Sequence, residues 1–283
     1  MSGKNGICHI CGKQGILTYE HVPPKAAFNK KKVTVTQGGE LPKIIQNSLL
    51  PKEVFKSKDI KKIHKQRGMG GYTLCEKCNT FTGHFYADAF VEMIRQAIYI
   101  NHSLGGVGQF KPGDQYVYHF RKLYPLRIIK EIFAMFFSVN NNSFFQAHSD
   151  LQHFILNKDS RYLDKDRYAV YAHILSGVLL RYSGVNVILN TKTGLTRVVS
   201  EVPSPPFGFV LEIEPSIKDR SIESNIIEFA TYKYNDKVDI TLTVEVKESN
   251  YYYPLDYRSN DEIITTRFRN RLQSTLDDIA KEM

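Results

Sequence analysis

Four cysteines, Cys8, Cys11, Cys75 and Cys78, form two C-x-x-C pairs, and the 283-residue chain holds no others. Each pair sets two thiolates on one tight turn. Two such pairs complete a closed tetrahedral shell of the kind that binds structural Zn²⁺. Three polar residues lie close to these pairs in sequence. Glu20 and His21 come nine and ten residues after Cys11, and Asn79 directly follows Cys78. If both pairs hold one zinc, these three residues become neighbours. A carboxylate and an amide oxygen are hard ligands suited to Mg²⁺ or Mn²⁺. A neutral imidazole beside them can take a proton from a water that attacks a phosphodiester, while the metal steadies charge on the leaving oxygen.

Such a site needs short elements that end at the right places. Gly15–Val22 reads as a strand stopped by Pro23-Pro24, and Tyr72–Cys75 as a second strand. From Asn79 onward Phe81, Phe85, Ala89, Phe90, Met93 and Ala97 recur at helical spacing. The glycine-rich stretch 101–115 reads as a connector between residues 1–100 and residues 116–283. In the second region a helix is expected over Pro125–Phe137 and another over Asp150–Leu156. Hairpins are expected from Val185–Leu189 with Leu195–Val199, and from Ile226–Tyr234 with Asp239–Val246. Phe207–Ile213 reads as a further strand, and 261–281 as an amphipathic helix. The fold class expected is α+β: a small zinc-stapled unit of two strands and a helix, followed by an α+β domain with an antiparallel sheet.

Charge is unevenly placed. Residues 1–86 carry 15 Lys and Arg against 5 Asp and Glu, a net of +10, and the remainder is close to neutral. The excess sits mainly between the two strands, at Lys25, Lys30, Lys31, Lys32, Lys61, Lys62, Lys65 and Arg67 among others. These residues suit contacts to the phosphates of a polyanion, DNA above all, that carry no sequence information. Gly68-Met-Gly-Gly71 would let the backbone approach a nucleic-acid strand. The longest apolar run, Ile128–Val139, is too short to span a bilayer and is interrupted by Lys130 and Glu131. The first residues are polar and lead straight into the cysteine motif, so a cytoplasmic location without a membrane segment is expected.

The order Cys8-x-x-Cys11, Glu20-His21, Cys75-x-x-Cys78-Asn79 resembles the zinc-bearing HNH (ββα-metal) endonucleases. Its pattern is close to that of the phage Holliday-junction-resolving endonuclease VII. Cys78-Asn-Thr-Phe-Thr-Gly83 is similar to the C-N-x-x-K-G run of HNH sequences. The resemblance implies a ββα-metal fold over roughly the first ninety residues. It further implies a structural zinc on the four cysteines, a catalytic Mg²⁺ or Mn²⁺ on Glu20 and Asn79, His21 as general base, and hydrolysis of DNA. His84 is a further candidate ligand, but it stands about 140° round an ideal helix from Asn79. The chain departs from the pattern at several points. Glu20 stands where Asp is usual and Thr82 where lysine is common. The 53 residues from 22 to 74 exceed what a compact hairpin needs. The middle asparagine that often ties the hairpin has no clear counterpart, Asn47 being the weak candidate. Two other readings stay open: a zinc-knuckle DNA-binding protein without catalysis, and an RNase or nuclease toxin. Defence against phage or foreign DNA is the role that the family's habits imply. The second region is open to recognition, homo-oligomer contacts or a regulatory partner.

Overall fold

The computed structural model describes residues 3–40, 43, 53, 56–104, 110–161, 163–175, 180–189, 196–215 and 224–247. Strand β1 (Lys4–Ile7) turns through Cys8–Lys13 into β2 (Gln14–His21). The turn is closed by Cys8 N–H on the Lys13 carbonyl (2.9 Å) and Gly12 N–H on the Cys8 carbonyl (2.8 Å). Gly12 holds φ at +69°, a value that glycine adopts without cost. Beyond β2 the basic insert forms its own two-stranded ribbon, β3 (Val33–Thr36) against β4 (Lys62–Lys65). The chain returns as β5 (Gly70–Cys75), which pairs antiparallel with β2 to give the order β1-β2-β5. Glu20 then stands opposite Gly71, and His21 opposite Gly70.

Helix α1 (Glu76–Thr82) starts at once after Cys75. It runs through a π turn at Gly83–Ala87 into α2 (Asp88–Ser103). The helical spacing read in the sequence is present, with Phe90, Met93, Ile94 and Ala97 on the buried face.

The remainder is built round one mostly antiparallel sheet. After β6 (Gln115–Leu123) come α3 (Pro125–Val139), the short α4 (Phe144–Ala147) and α5 (Ser149–Leu156). Strands β7 (Tyr168–Leu175), β8 (Ser183–Leu189), β9 (Thr196–Ser204), β10 (Phe207–Ile213) and β11 (Val238–Lys247) follow. They assemble in the order β6-β11-β7-β10-β9-β8, with β11 and β7 parallel at Val246–Ile174. The architecture is therefore α+β with antiparallel sheets. A single apolar cluster runs from Ile10, Leu17 and Leu74 through Phe90 and Ile94 to Phe133, Phe136 and Leu211. The first hundred residues and the large sheet share that core. Helix α3 is its centre and is buried along nearly its whole length. Among the described residues no helix is long and apolar enough to cross a membrane.

One expectation differs from the structure. Residues 226–234 are not a strand. Ile227–Thr231 forms a 3₁₀ turn that buries Ile227, Phe229 and Ala230 against α3, started by Ile227 N–H on Asn225 Oδ1 (3.1 Å). The apolar residues there follow helical rather than alternating spacing, so β11 finds other partners, β6 and β7. Strands β6 and β7 carry no turn signal of the hairpin type. Every residue of β7 is buried, which erases the alternation that marks a one-sided strand. The helix expected over 261–281 lies outside the described residues.

Candidate metal centre and active site

The β1–β2 turn supplies Cys8 and Cys11. The end of β5 supplies Cys75, and the first turn of α1 supplies Cys78. Their sulfurs all lie within 4.8 Å of one another, and none is in a disulfide. Cys11 Sγ and Cys75 Sγ are 3.8 Å apart. Four thiolates at about 2.3 Å from a Zn²⁺ have tetrahedral edges of roughly 3.8 Å, so the donor set fits the ion in both kind and spacing. Without a cation the thiols cannot all ionise. Hydrogen bonding from Cys78 pulls the Cys8 thiol down to about 4, while that same bond and burial push Cys78 up and burial pushes Cys11 up. A divalent ion relieves this conflict by stabilising all four in the deprotonated form. The knuckle is fastened to the rest of the molecule. His9 Nδ1 donates to the Phe137 carbonyl (3.2 Å), and Gln152 Nε2 to the Ile10 carbonyl (2.6 Å).

The same arrangement places the start of α1 on the end of β2. Asn79 Nδ2 donates to Thr18 Oγ1 (2.9 Å) and points to the Tyr19 carbonyl at 3.5 Å. Thr18 Oγ1 in turn donates to the Leu74 carbonyl (3.1 Å). The amide nitrogen is thus committed to β2, which leaves Oδ1 as the atom available to a ligand. Thr82, where the family pattern carries lysine, is buried. Its hydroxyl donates to the Cys78 carbonyl (3.1 Å) and braces the turn that bears Asn79.

Glu20 leaves β2 on the face opposite to that of Tyr19 and His21, whose rings touch. Part of the residue reaches the surface, but the carboxyl is enclosed by packed neighbours, and burial pushes its pKa up to about 8. A carboxylate held in this way has much to gain from a cation. His21 is half-buried with its ring edge-on to Tyr19, centroids 5.0 Å apart. His21 Nε2 lies 3.0 Å from the Arg67 carbonyl. A carbonyl only accepts, so Nε2 carries the proton and Nδ1 of the neutral ring keeps its lone pair. Burial, the main cause, and the nearby charges of Lys25 and Arg67 hold the His21 pKa below its ordinary value, against the Arg67 carbonyl bond, which raises it. The ring is therefore held toward its neutral form.

The segment that bears the Arg67 carbonyl is anchored two residues on, at Met69, by a residue that the sequence reading passed over. Asn29 is buried, 4% exposed. Its Nδ2 donates to the Pro23 and Met69 carbonyls, and its Oδ1 accepts the Met69 N–H, each at 2.7 Å. Asn29 thus ties the segment after β2 to the segment before β5. Asn47 lies outside the described residues. Two of the glycines in the 68–71 run are required by the hairpin itself. A Cβ at Gly68 (φ +87°) would meet the Asn29 carbonyl oxygen at 2.1 Å, and one at Gly70 would meet the Glu20 carbonyl oxygen at 2.0 Å.

His84 is not brought to this group. Among the described residues the four cysteines are the one set of three or more His, Cys, Asp or Glu side chains close enough to share an ion. His84 is exposed against Phe85 on the face of Glu76, Thr80 and Phe81, so the π turn does not redirect it toward Glu20. Of the basic residues, Lys25, Lys30, Lys31, Lys32, Lys61 and Arg67 are exposed. Lys65 is turned onto the Gly70 carbonyl and Lys62 onto the Ser57 carbonyl, where both hold the ribbon. No family model, curated protein or solved structure matches the chain.

Proposed function

We propose that this protein is a metal-dependent endonuclease of the HNH type, cutting the phosphodiester backbone of DNA. The observation that carries the reading is the Asn79 amide seated on Thr18 and Tyr19, which sets a hard amide oxygen beside the strand end bearing Glu20 and His21. The zinc knuckle has the structural part. It holds β1, β5 and α1 together and leaves no coordination position for a substrate. Glu20 and Asn79 would hold a Mg²⁺ or Mn²⁺, which supplies charge stabilisation to the oxygen that leaves phosphorus.

His21 Nδ1 takes the proton of the attacking water, and the bond from Nε2 to the Arg67 carbonyl fixes the ring in the tautomer this needs. Lys25 and Arg67 place positive charge next to that imidazole, where an incoming phosphate is attracted and the ring stays unprotonated. Lys30, Lys31 and Lys32, at the mouth of the β3–β4 ribbon, extend this positive surface for non-specific contact with the backbone. The test is incubation of the zinc-loaded protein with plasmid, linear and branched DNA and with RNA, with and without Mg²⁺ or Mn²⁺. Cation-dependent cutting of DNA is expected. Binding without cutting would instead make the chain a zinc-knuckle binding protein, and cutting of RNA alone would make it an RNase.

A further inference from the structure

Three rings stand in a row across β2 and β5, beginning at His21. His21 and Tyr19 lie on one face of β2, with ring centroids 5.0 Å apart. Tyr72 stands opposite Tyr19 in the β2–β5 register, and their centroids are 5.4 Å apart. Both contacts are near perpendicular, at 76° and 82°. A perpendicular contact takes the edge of one ring and one face of the other, so the rings do not close into a column. All three residues remain partly exposed. The row is also fixed in place. The Tyr19 hydroxyl donates to the Gly68 carbonyl (3.2 Å), and His21 Nε2 meets the Arg67 carbonyl (3.0 Å). A cationic residue stands at each end. Lys4 Nζ, from β1, lies 5.1 Å from the Tyr72 ring centroid, and Arg67 borders the His21 ring. Both are exposed. The one acid of β2, Glu20, leaves from the opposite face.

We propose that this row is a stacking platform for unpaired bases, and that it selects single-stranded segments of DNA next to the phosphate attacked at His21. The inference rests on the endonuclease reading and deepens it by naming the substrate class. Cations alone serve for contact with phosphates, in a duplex and a single strand alike. Half-exposed tyrosines add what a phosphate does not need, a flat apolar surface. A duplex turns base edges into its grooves and keeps base faces stacked on one another. An unpaired base offers its face to a ring. The placing of charge fits the same ligand. A strand laid along the row would set phosphates against Lys4 and Arg67, and bases against the rings between them. Such stacking tolerates any sequence, because every base has a flat face. His21 stands at the Arg67 end of the row, so the platform would also fix the strand relative to the imidazole that activates water.

The probe is a short fluorescent single-stranded DNA, compared with an abasic strand of equal length that keeps every phosphate and sugar. Binding to the zinc-loaded full-length protein is followed by anisotropy without Mg²⁺ or Mn²⁺, so that nothing is cut. The wild type should bind the base-bearing strand about 5–150-fold more tightly than the abasic one, the range that stacking one base on an aromatic side chain contributes. Tyr72→Leu keeps apolar bulk and removes the ring, and should lose at least about fivefold of that preference. Tyr72→Phe should retain it. Equal wild-type affinity for the two strands overturns the proposal, and this comparison decides even if Tyr72→Leu does not fold. A folded Tyr72→Leu protein with the full preference overturns it as well. Tighter binding of the same sequence as RNA overturns the assignment to DNA. Cation-dependent cutting is assayed separately on the same strands and on duplex. Cutting without any base preference overturns the platform and leaves the endonuclease reading standing. Base preference without cutting overturns the endonuclease reading and leaves a single-strand-binding surface.

Discussion

Replacing Asn29 by alanine removes three 2.7 Å hydrogen bonds at a buried position: two from Nδ2, to the Pro23 and Met69 carbonyls, and one accepted by Oδ1 from Met69 N–H. Each bond contributes about 1 kcal/mol net, and a buried group left unpaired costs about 1–3 kcal/mol. The expected loss is therefore about 3–5 kcal/mol, or roughly 10 °C in melting temperature for a chain of this size. The loss is not spread evenly. Met69 N–H is released, and Gly68, packed on the Asn29 backbone, loses its support. Amide hydrogen exchange should rise first at Met69 and Val22, whose N–H donates to the Met69 carbonyl. The Arg67 carbonyl is then no longer held against His21, so cleavage should fall more than the folded fraction does. Asn29→Asp sharpens the test. It keeps an acceptor for Met69 N–H but turns a second oxygen toward two carbonyls, so it should be no more stable than the alanine variant. An Asn29→Ala protein with wild-type melting temperature and unchanged exchange at Met69 would refute this reasoning.

Three further outcomes follow from the same geometry. Elemental analysis of protein purified without added metal should find one zinc per chain, and Cys75→Ser should lower zinc content and unfold the β1-β2-β5 unit. Neutralising Lys30, Lys31 and Lys32 together should weaken binding about equally on unrelated DNA sequences and reduce the salt dependence by up to roughly three units of slope, checked by binding titrations at several salt concentrations. A Glu20 carboxyl held near pH 8 is mostly protonated at pH 6.5, so apparent Mn²⁺ affinity should rise by about tenfold or more between pH 6.5 and 8.5. In the metal-free protein the sign is opposite. The folded state binds more protons than the unfolded one between about pH 4.5 and 8, so stability falls as pH rises through that window. Thermal melts at both pH values, with and without Mn²⁺, check both trends.

The cysteine cluster was legible because its pattern is local. Two C-x-x-C pairs, an acid-histidine pair at a strand end and an asparagine after the last cysteine are short patterns with fixed spacing, and the elements that carry them fell where expected. What escaped depends on distant backbone. Asn29 sits in a lysine-rich run with nothing to mark it, and two of its three bonds are to Met69, forty residues away. Glu131 read only as a break in an apolar stretch. That α3 is buried along nearly its whole length, so that this glutamate is a buried acid, appears only when the helix is packed. The second region was harder for the same reason. Strand β7, wholly buried, shows no alternation, and Ile226–Tyr234 reads as a strand from the Asn235-Asp236 turn signal that follows it, although its apolar spacing suits a turn of helix.

The central claim is most directly tested by cleavage of plasmid DNA with His21→Ala beside the wild type, both zinc-loaded and of equal melting temperature, across a range of Mg²⁺ and Mn²⁺ concentrations. The account predicts that the wild type cuts only when the cation is present. It also predicts that His21→Ala binds DNA equally well but cuts on the order of 10²–10⁴-fold more slowly, with no rescue by added Mn²⁺. A well-folded His21→Ala protein that cuts at the wild-type rate would contradict it.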